Sequence, residues 1–265
     1  MKLMTDESMT IKVSKGDIVR VDYDAYIVEN GMLFDTTSTD KAKEADIYNE
    51  NLTYRALPLL VGGGRVFPGL DEALEGVEIG VKSTVEIPPE KAAGPRDPKL
   101  LENIALREFL RQEIRPEIGM EVNIHNRTGT VVTVTNRMVR VDFNRRFAGA
   151  VLKYDFTVLD KIEGDENKVL AICEMDYGTN EGFRAVVDGD KVVLYLPDVC
   201  KYDQKWLMSK YKIVADLREV FGAVTVELVE EYLKKEEKSA TEEATAEVTE
   251  EATEEVTDEK APEEL

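Results

Sequence analysis

Few residues of this chain could act as a nucleophile, a metal ligand or a phosphate cradle. His125 is the only histidine, and beside Asn126-Arg127 it reads as a surface residue near a turn rather than a general base. Cys173 and Cys200 match no zinc spacing and read as small core residues, with a redox pair as the sharper alternative. Gly62-Gly63-Gly64 resembles the start of a phosphate loop, but Arg65-Val66-Phe67-Pro68 follows instead of Gly-Lys-Ser/Thr, so it is read as a flexible bend. Four aromatics and a carboxylate, Tyr23, Phe34, Asp35, Phe67 and Tyr154, are not singled out by composition or spacing. By themselves the aromatics read as core and Asp35 as a turn residue. The chemistry open to such a set is binding, not bond cleavage.

The elements that would position them follow from hydrophobic period. Residues 16–26 alternate, with Val19, Val21, Tyr23 and Ala25 on one face and Arg20, Asp22 and Asp24 on the other, which predicts a half-buried antiparallel strand. Asn30-Gly31 supplies a hairpin turn ahead of Phe34-Asp35. Residues 38–56 are polar and irregular and are expected as surface loop. Residues 62–89, GGGRVFPGLDEALEGVEIGVKSTVEIPP, hold the bend, a short helix opened by Pro68-Gly69, a Gly76/Gly80 turn region and a strand ending at Pro88-Pro89. A second alternating strand, 151–159, carries Tyr154 and is expected to pair with 81–87. The residues between those two strands exceed the ~15 a structureless loop allows, so they are read as an inserted domain. Its expected strands are 121–124, 130–135 and 138–142, with a helical or extended stretch over 100–110.

Beyond residue 163 the pattern changes. VLAICEMDY is read as a strand, and a hairpin turns at Asp188-Gly189. Asp203 can cap a helix striped by Leu207, Tyr211, Val214, Leu217 and Phe221, which Gly222 stops before a last strand. The expected order is β-β-β-α-β. Residues 235–265 carry 13 acidic and 3 basic residues, and their Thr/Glu/Ala composition predicts a disordered tail. That tail holds half of the net charge of −20. No basic patch with interleaved aromatics occurs, which argues against nucleic acid as a partner. No apolar run approaches the ~18 residues that span a bilayer, and the first twenty residues lack the apolar stretch of a signal peptide. A cytoplasmic protein with no membrane partner is expected.

The order of the 62–89 segment, together with VDYDAYIVENGMLFDTT at 21–37, resembles the FK506-binding-protein class of peptidyl-prolyl cis–trans isomerases. Residues 1–163 are similar to its SlyD-like members, which carry a domain inserted in the flap, and 165–234 to the long archaeal type. The implied fold class is α+β: a small antiparallel sheet wrapped on a short helix, with an inserted mainly-β domain and a C-terminal α+β domain. The implied domains are 1–93 plus 150–163, 94–149 and 165–234. The resemblance also implies a pocket: Tyr23, Phe34 and Asp35 on one side, Leu59, Val66 and Phe67 along the bend, Leu70 as floor and Tyr154 on the far side. Phe67 would offer its N–H to the carbonyl near the substrate proline.

Such a pocket would need no cofactor or metal. The amide barrier is about 18–20 kcal/mol, and a planar amide is more polar than a twisted one, so a dry aromatic site favours the twisted state. In the resembling proteins the insert binds unfolded chains, and here Ile104, Leu106, Phe109, Leu110, Met120, Val122, Ile124 and Val139 could line its groove or form its core. The implied partners are unfolded or partly folded polypeptides with exposed X–Pro bonds, and the third unit could form a homodimer. Ala92-Ala93-Gly94 stands where many members carry an aromatic residue. That leaves a client-holding chaperone with weak isomerase activity as the alternative, and an assembly factor built on the C-terminal unit as a third reading.

Overall fold

Residues 12–232 are described by the computed structural model; the acidic stretch 235–265, expected as a tail, lies outside them. The first alternating segment forms β1 (Ile18–Ile27), with Val19, Val21 and Ala25 buried on one face as a period of two requires. Its other face is not simply solvated. Arg20 reaches a carboxylate of the third unit, and Asp24 is buried, accepting from Thr36 Oγ1 at 2.7 Å. The Asn30-Gly31 turn leads into β2 (Met32–Thr36), antiparallel to β1. The stretch expected as loop contains a short helix, α1 (Thr39–Glu44), anchored by the fully buried Ala42. β3 (Leu57–Leu60) pairs with the first half of β1.

Next comes the bend, then α2 (Pro68–Leu74), opened by a proline whose missing N–H costs nothing in the first turn. A Cβ added at Gly69 would lie 2.4 Å from Ile87 Cγ2, so α2 approaches β4 (Lys82–Ile87) this closely only with glycine there. The helix buries Leu70 and Leu74.

The insert comprises β5 (Leu101–Ala105), α3 (Leu106–Arg111), β6 (Glu121–Ile124), β7 (Arg127–Val134) and β8 (Met138–Asp142), its strands in the order β5-β8-β7-β6. The 100–110 stretch is therefore part strand and part helix. β7 starts earlier than the expected residue 130, because His125 and Asn126 both adopt positive φ (54° and 60°) and close a two-residue hairpin. Phe109, Ile124, Val131, Val139 and Val141 fill a separate core.

β9 (Leu152–Lys161) returns between β1 and β4, giving the order β2-β1-β9-β4 with β3 also on β1. The expected pairing of the two strands that flank the insert is present, with Val85 opposite Tyr154.

The third unit departs from expectation. VLAICEMDY is not a strand but the body of α4 (Asp165–Tyr177), opened by two acidic residues and closed by Gly178 in the left-handed region. Val169, Ala171, Ile172 and Cys173 are all buried, because α4 is covered by its own unit and by the first sheet. A run covered on both faces has no period with which to tell helix from strand. β10 (Arg184–Asp188) and β11 (Lys191–Leu196) form the expected hairpin, followed by α5 (Gln204–Phe221) and β12 (Thr225–Glu230), so the order is α-β-β-α-β. Asp203 caps α5 by accepting from the Lys205 N–H, and Gly222 ends it. Of the expected stripe of α5, Leu217 is buried and Phe221 packs on the core, but Leu207 and Tyr211 are exposed, and Trp206 and Ile213 complete the buried face. Trp206 sets that rotation by packing edge-on to Tyr177 at 5.7 Å and beside Phe183. The same core takes in Ile18, Leu60 and Ile162 of the first sheet. A fully buried large aliphatic such as Ile18 contributes about 1.5–3 kcal/mol. No described helix is long and apolar enough to cross a membrane.

Candidate active site

A cavity of about 500 Å³ lies where the sheet, the bend and α2 meet. β1 contributes Tyr23, β2 Asp35, β3 Leu57 and Leu59, the bend Arg65, Val66 and Phe67, α2 Leu70, and β9 Tyr154. Strand alternation places Tyr23 and Tyr154 on the same concave face, with ring centroids 5.9 Å apart.

One hydrogen bond forms the polar edge of this wall. Tyr23 Oη donates to Asp35 Oδ2 at 2.8 Å, and the other oxygen of Asp35 accepts the Thr36 N–H at 2.9 Å. Burial first, and then the Asp35 charge, push the Tyr23 and Tyr154 hydroxyls far above the ordinary tyrosine range. Both stay neutral, and Tyr23 keeps the proton it donates to Asp35.

The bend is tied down from within. Asp71 of α2 accepts from the N–H of Gly62 at 2.7 Å and of Gly64 at 3.0 Å. The Phe67 carbonyl takes the N–H groups of Leu70 and Asp71 at 2.9 and 3.0 Å, which fixes its position at the helix start. The Phe67 N–H is taken up by none of the described residues.

Three family models match the chain in succession: FKBP-type peptidyl-prolyl cis-trans isomerase over residues 9–105, FKBP26, IF domain over 103–147, and FKBP26_C-terminal over 165–233. The short-type peptidyl-prolyl cis-trans isomerase of Methanocaldococcus jannaschii is 37% identical over 149 residues, which are 56% of this chain and 93% of that protein. The chain belongs to the FKBP-type peptidyl-prolyl cis-trans isomerase family. SlyD of Helicobacter pylori, another FKBP-type isomerase, is 30% identical over 140 residues, 51% of this chain and 74% of that protein.

Within the FKBP-type domain, the residues expected at the pocket come from six separate segments. Phe34 stands one layer out from the cavity. It packs on Phe147 at 4.3 Å and meets Tyr154 edge-on at 6.1 Å, so it backs the wall instead of lining it. Ala93 is half-buried and also lies outside the lining.

In the insert, burial separates the candidates. Ile104, Phe109, Val122, Ile124 and Val139 are buried in its core and offer no surface to a client, a correction that follows from α3 lying on the sheet. Leu106 packs partly on that core and, with Leu110, lines a shallow depression beside Asn136-Arg137. Leu110 and Met120 are exposed, as are Ile118, Val132 and Met138.

Sequence reasoning missed three residues at the site. Leu57 precedes the expected Leu59 by two positions, so strand alternation could have found it. Arg65 adjoins Val66 in the bend but reads as a surface charge. Phe147, held at φ 67° between the insert and β9, gave no local signal.

Proposed function

We propose that this FKBP-type isomerase accelerates X–Pro isomerisation in unfolded or partly folded polypeptides and holds those clients through its insert. The observation that carries the reading is the apolar cavity walled by Tyr23, Val66, Phe67, Leu70 and Tyr154, with an unengaged backbone donor at its edge. A proline ring in that cavity is desolvated, which disfavours the more polar planar amide relative to the twisted one. The Phe67 N–H would hold the adjoining carbonyl while the C–N bond turns, and the Tyr23–Asp35 pair orients the polar rim. These groups need only bind and orient, since X–Pro bonds already have accessible cis and trans wells and lack only speed.

The insert would add local concentration. A weak client site near the prolyl cavity makes proline capture effectively intramolecular. Its exposed Leu110, Ile118, Met120 and Met138 support that role, in place of the buried candidates. Leu207, Met208 and Tyr211, exposed on α5, support a homodimer through the third unit. We place the protein in the cytoplasm, a reading supported by two cysteines that serve as small residues in the core of the third unit. A client-holding chaperone with weak isomerase activity is the second reading, favoured by the small Ala93.

The test is a proline-limited refolding reaction, run with the full chain and with residues 94–148 replaced by a short loop. Strong acceleration by the full chain, mostly lost on replacement, is expected. No acceleration by either, with aggregation suppressed by the full chain, would leave only the holding chaperone.

A further inference from the structure

The third unit reaches the catalytic sheet through carboxylates that meet three arginines. On α4, Glu174 accepts from Arg20 at 3.1 Å and from Arg55 at 3.0 Å. One turn-face away, Asp176 accepts from Arg65 Nη1 at 2.6 Å and Nη2 at 3.3 Å, and Asp216 of α5 closes on the same guanidinium. Lys212 adds a second cation to Asp176 at 2.9 Å. The Asp176 side chain is fully buried and that of Arg65 only 12% exposed, so this is not a solvated surface pair.

Arg65 occupies a particular place. It immediately precedes Val66 and Phe67, and it lines both the prolyl cavity and a larger cavity of about 700 Å³ between the catalytic sheet and the third unit. The first half of the bend is held from within its own domain, by Asp71 on Gly62 and Gly64. The second half is gripped from outside, through the Arg65 fork. A bidentate guanidinium–carboxylate contact fixes angle as well as distance. With the Asp176 side chain buried, releasing the contact would leave that carboxylate to Lys212 alone, which costs stability.

We propose that Arg65 is a positioning residue: the third unit, through Asp176 and Asp216, fixes the bend that sets Val66 and the Phe67 N–H against the bound proline. The inference rests on the reading of the cavity as the prolyl site. It makes the third unit part of the catalytic apparatus even for a peptide too short to touch it.

The experiment uses the full chain and a short proline peptide, well below each variant's melting temperature. Wild type is compared with Arg65→Lys, Arg65→Met, Asp176→Asn, Asp216→Asn and the Arg65→Met/Asp176→Asn double variant. Sub-ångström to ångström displacement of a positioned group can cost up to about 100-fold, so a fall in kcat/KM of ~10-fold is expected for Asp176→Asn and for Arg65→Met. The double variant should be about as impaired as Arg65→Met, because both changes remove the Arg65–Asp176 contact. Arg65→Lys, which keeps the charge, should recover part of the loss. The Phe67 amide resonance should shift in Asp176→Asn.

The idea is overturned if Asp176→Asn lowers the melting temperature yet leaves kcat/KM within about twofold and the Phe67 amide unmoved. The clamp would then be only a tether. Should Asp176→Asn fail to fold, Arg65→Met, read by kcat/KM and by the Phe67 amide resonance, carries the same comparison. A wild type inactive on the peptide would refute the isomerase reading instead, and the Phe67 resonance would still decide whether Arg65 sets the bend.

Discussion

At the residue scale, the rim of the aromatic cavity proposed to take the proline depends on the hydrogen bond from Tyr23 to Asp35. Asp35 is exposed, so water can replace the lost donor in Tyr23→Phe, and the stability change should stay within about 1 kcal/mol. Activity on a short proline peptide should nevertheless fall several-fold, and Asp35→Asn should act in the same direction. Unchanged kcat/KM in both variants would remove the pair from the mechanism. The clamp at Arg65 has its own pH signature. Burial, and then the neighbouring Asp176, raise the Asp216 carboxyl from 3.8 to about 6 despite Arg65. Burial also opposes ionisation of Asp176, but hydrogen bonds from Arg65, Asp216 and Lys212 outweigh it and hold that group below the ordinary range. Between pH 3.8 and about 6 the folded chain therefore keeps a proton on Asp216 that the unfolded chain has released, so the contribution of this group to stability falls as pH rises through that window. Asp176 works the opposite way: its stabilisation is present above 3.8 and lost as pH falls through its depressed native value. Asp216→Asn should abolish the first effect and change the second, because Asp216 is one of the groups that hold Asp176 down. Thermal melts at successive pH values test this: the wild-type advantage over the variant should shrink as pH rises from about 4 to 6.

At the scale of elements, the insert shows how one helix assigns residues to core or surface. α3 directs Phe109 inward, where it is fully buried, and leaves its neighbour Leu110 exposed. Phe109→Ala should cost about 3–5 kcal/mol of insert stability through the lost contacts and the cavity left behind. Leu110→Ser should cost less than about 0.5 kcal/mol, as exposed changes do. If the insert holds clients through its exposed residues, aggregation suppression should fall in Leu110→Ser with folding intact. Retention of full suppression there would turn attention to Ile118 and Met120. The sequence could place the apolar residues of this segment but not divide them. A period of two in β6 identifies Val122 and Ile124 as one face, yet only the position of α3 shows which face is covered.

For the whole molecule, α5 has two apolar stripes and one core to fill. Trp206, Ile213 and Leu217 fill it, and Leu207, Met208 and Tyr211 face outward. A dimer through the outer stripe should dissociate in Tyr211→Glu, read by analytical ultracentrifugation, with monomer stability changed by no more than about 0.5 kcal/mol. A monomeric wild type would sink the proposal directly. The parts of this protein legible in its sequence are those decided within a few residues of chain. The alternation of β1 and β9, the Asn30-Gly31 turn, the β10–β11 hairpin (its turn at Gly189-Asp190, one residue beyond the expected Asp188-Gly189), the Pro68-Gly69 helix start and the Asp203 and Gly222 caps are local steric and hydrogen-bonding facts. The family resemblance brought Tyr23, Asp35, Phe67 and Tyr154 to attention, and the fold sets them around one cavity. Only the tertiary structure decided that α4 is a helix, which stripe of α5 is inside, which insert residues are core, and that Arg65 meets Asp176 and Asp216. Each of those depends on what covers a face or faces a charge from far along the chain, and no local period or propensity carries that information.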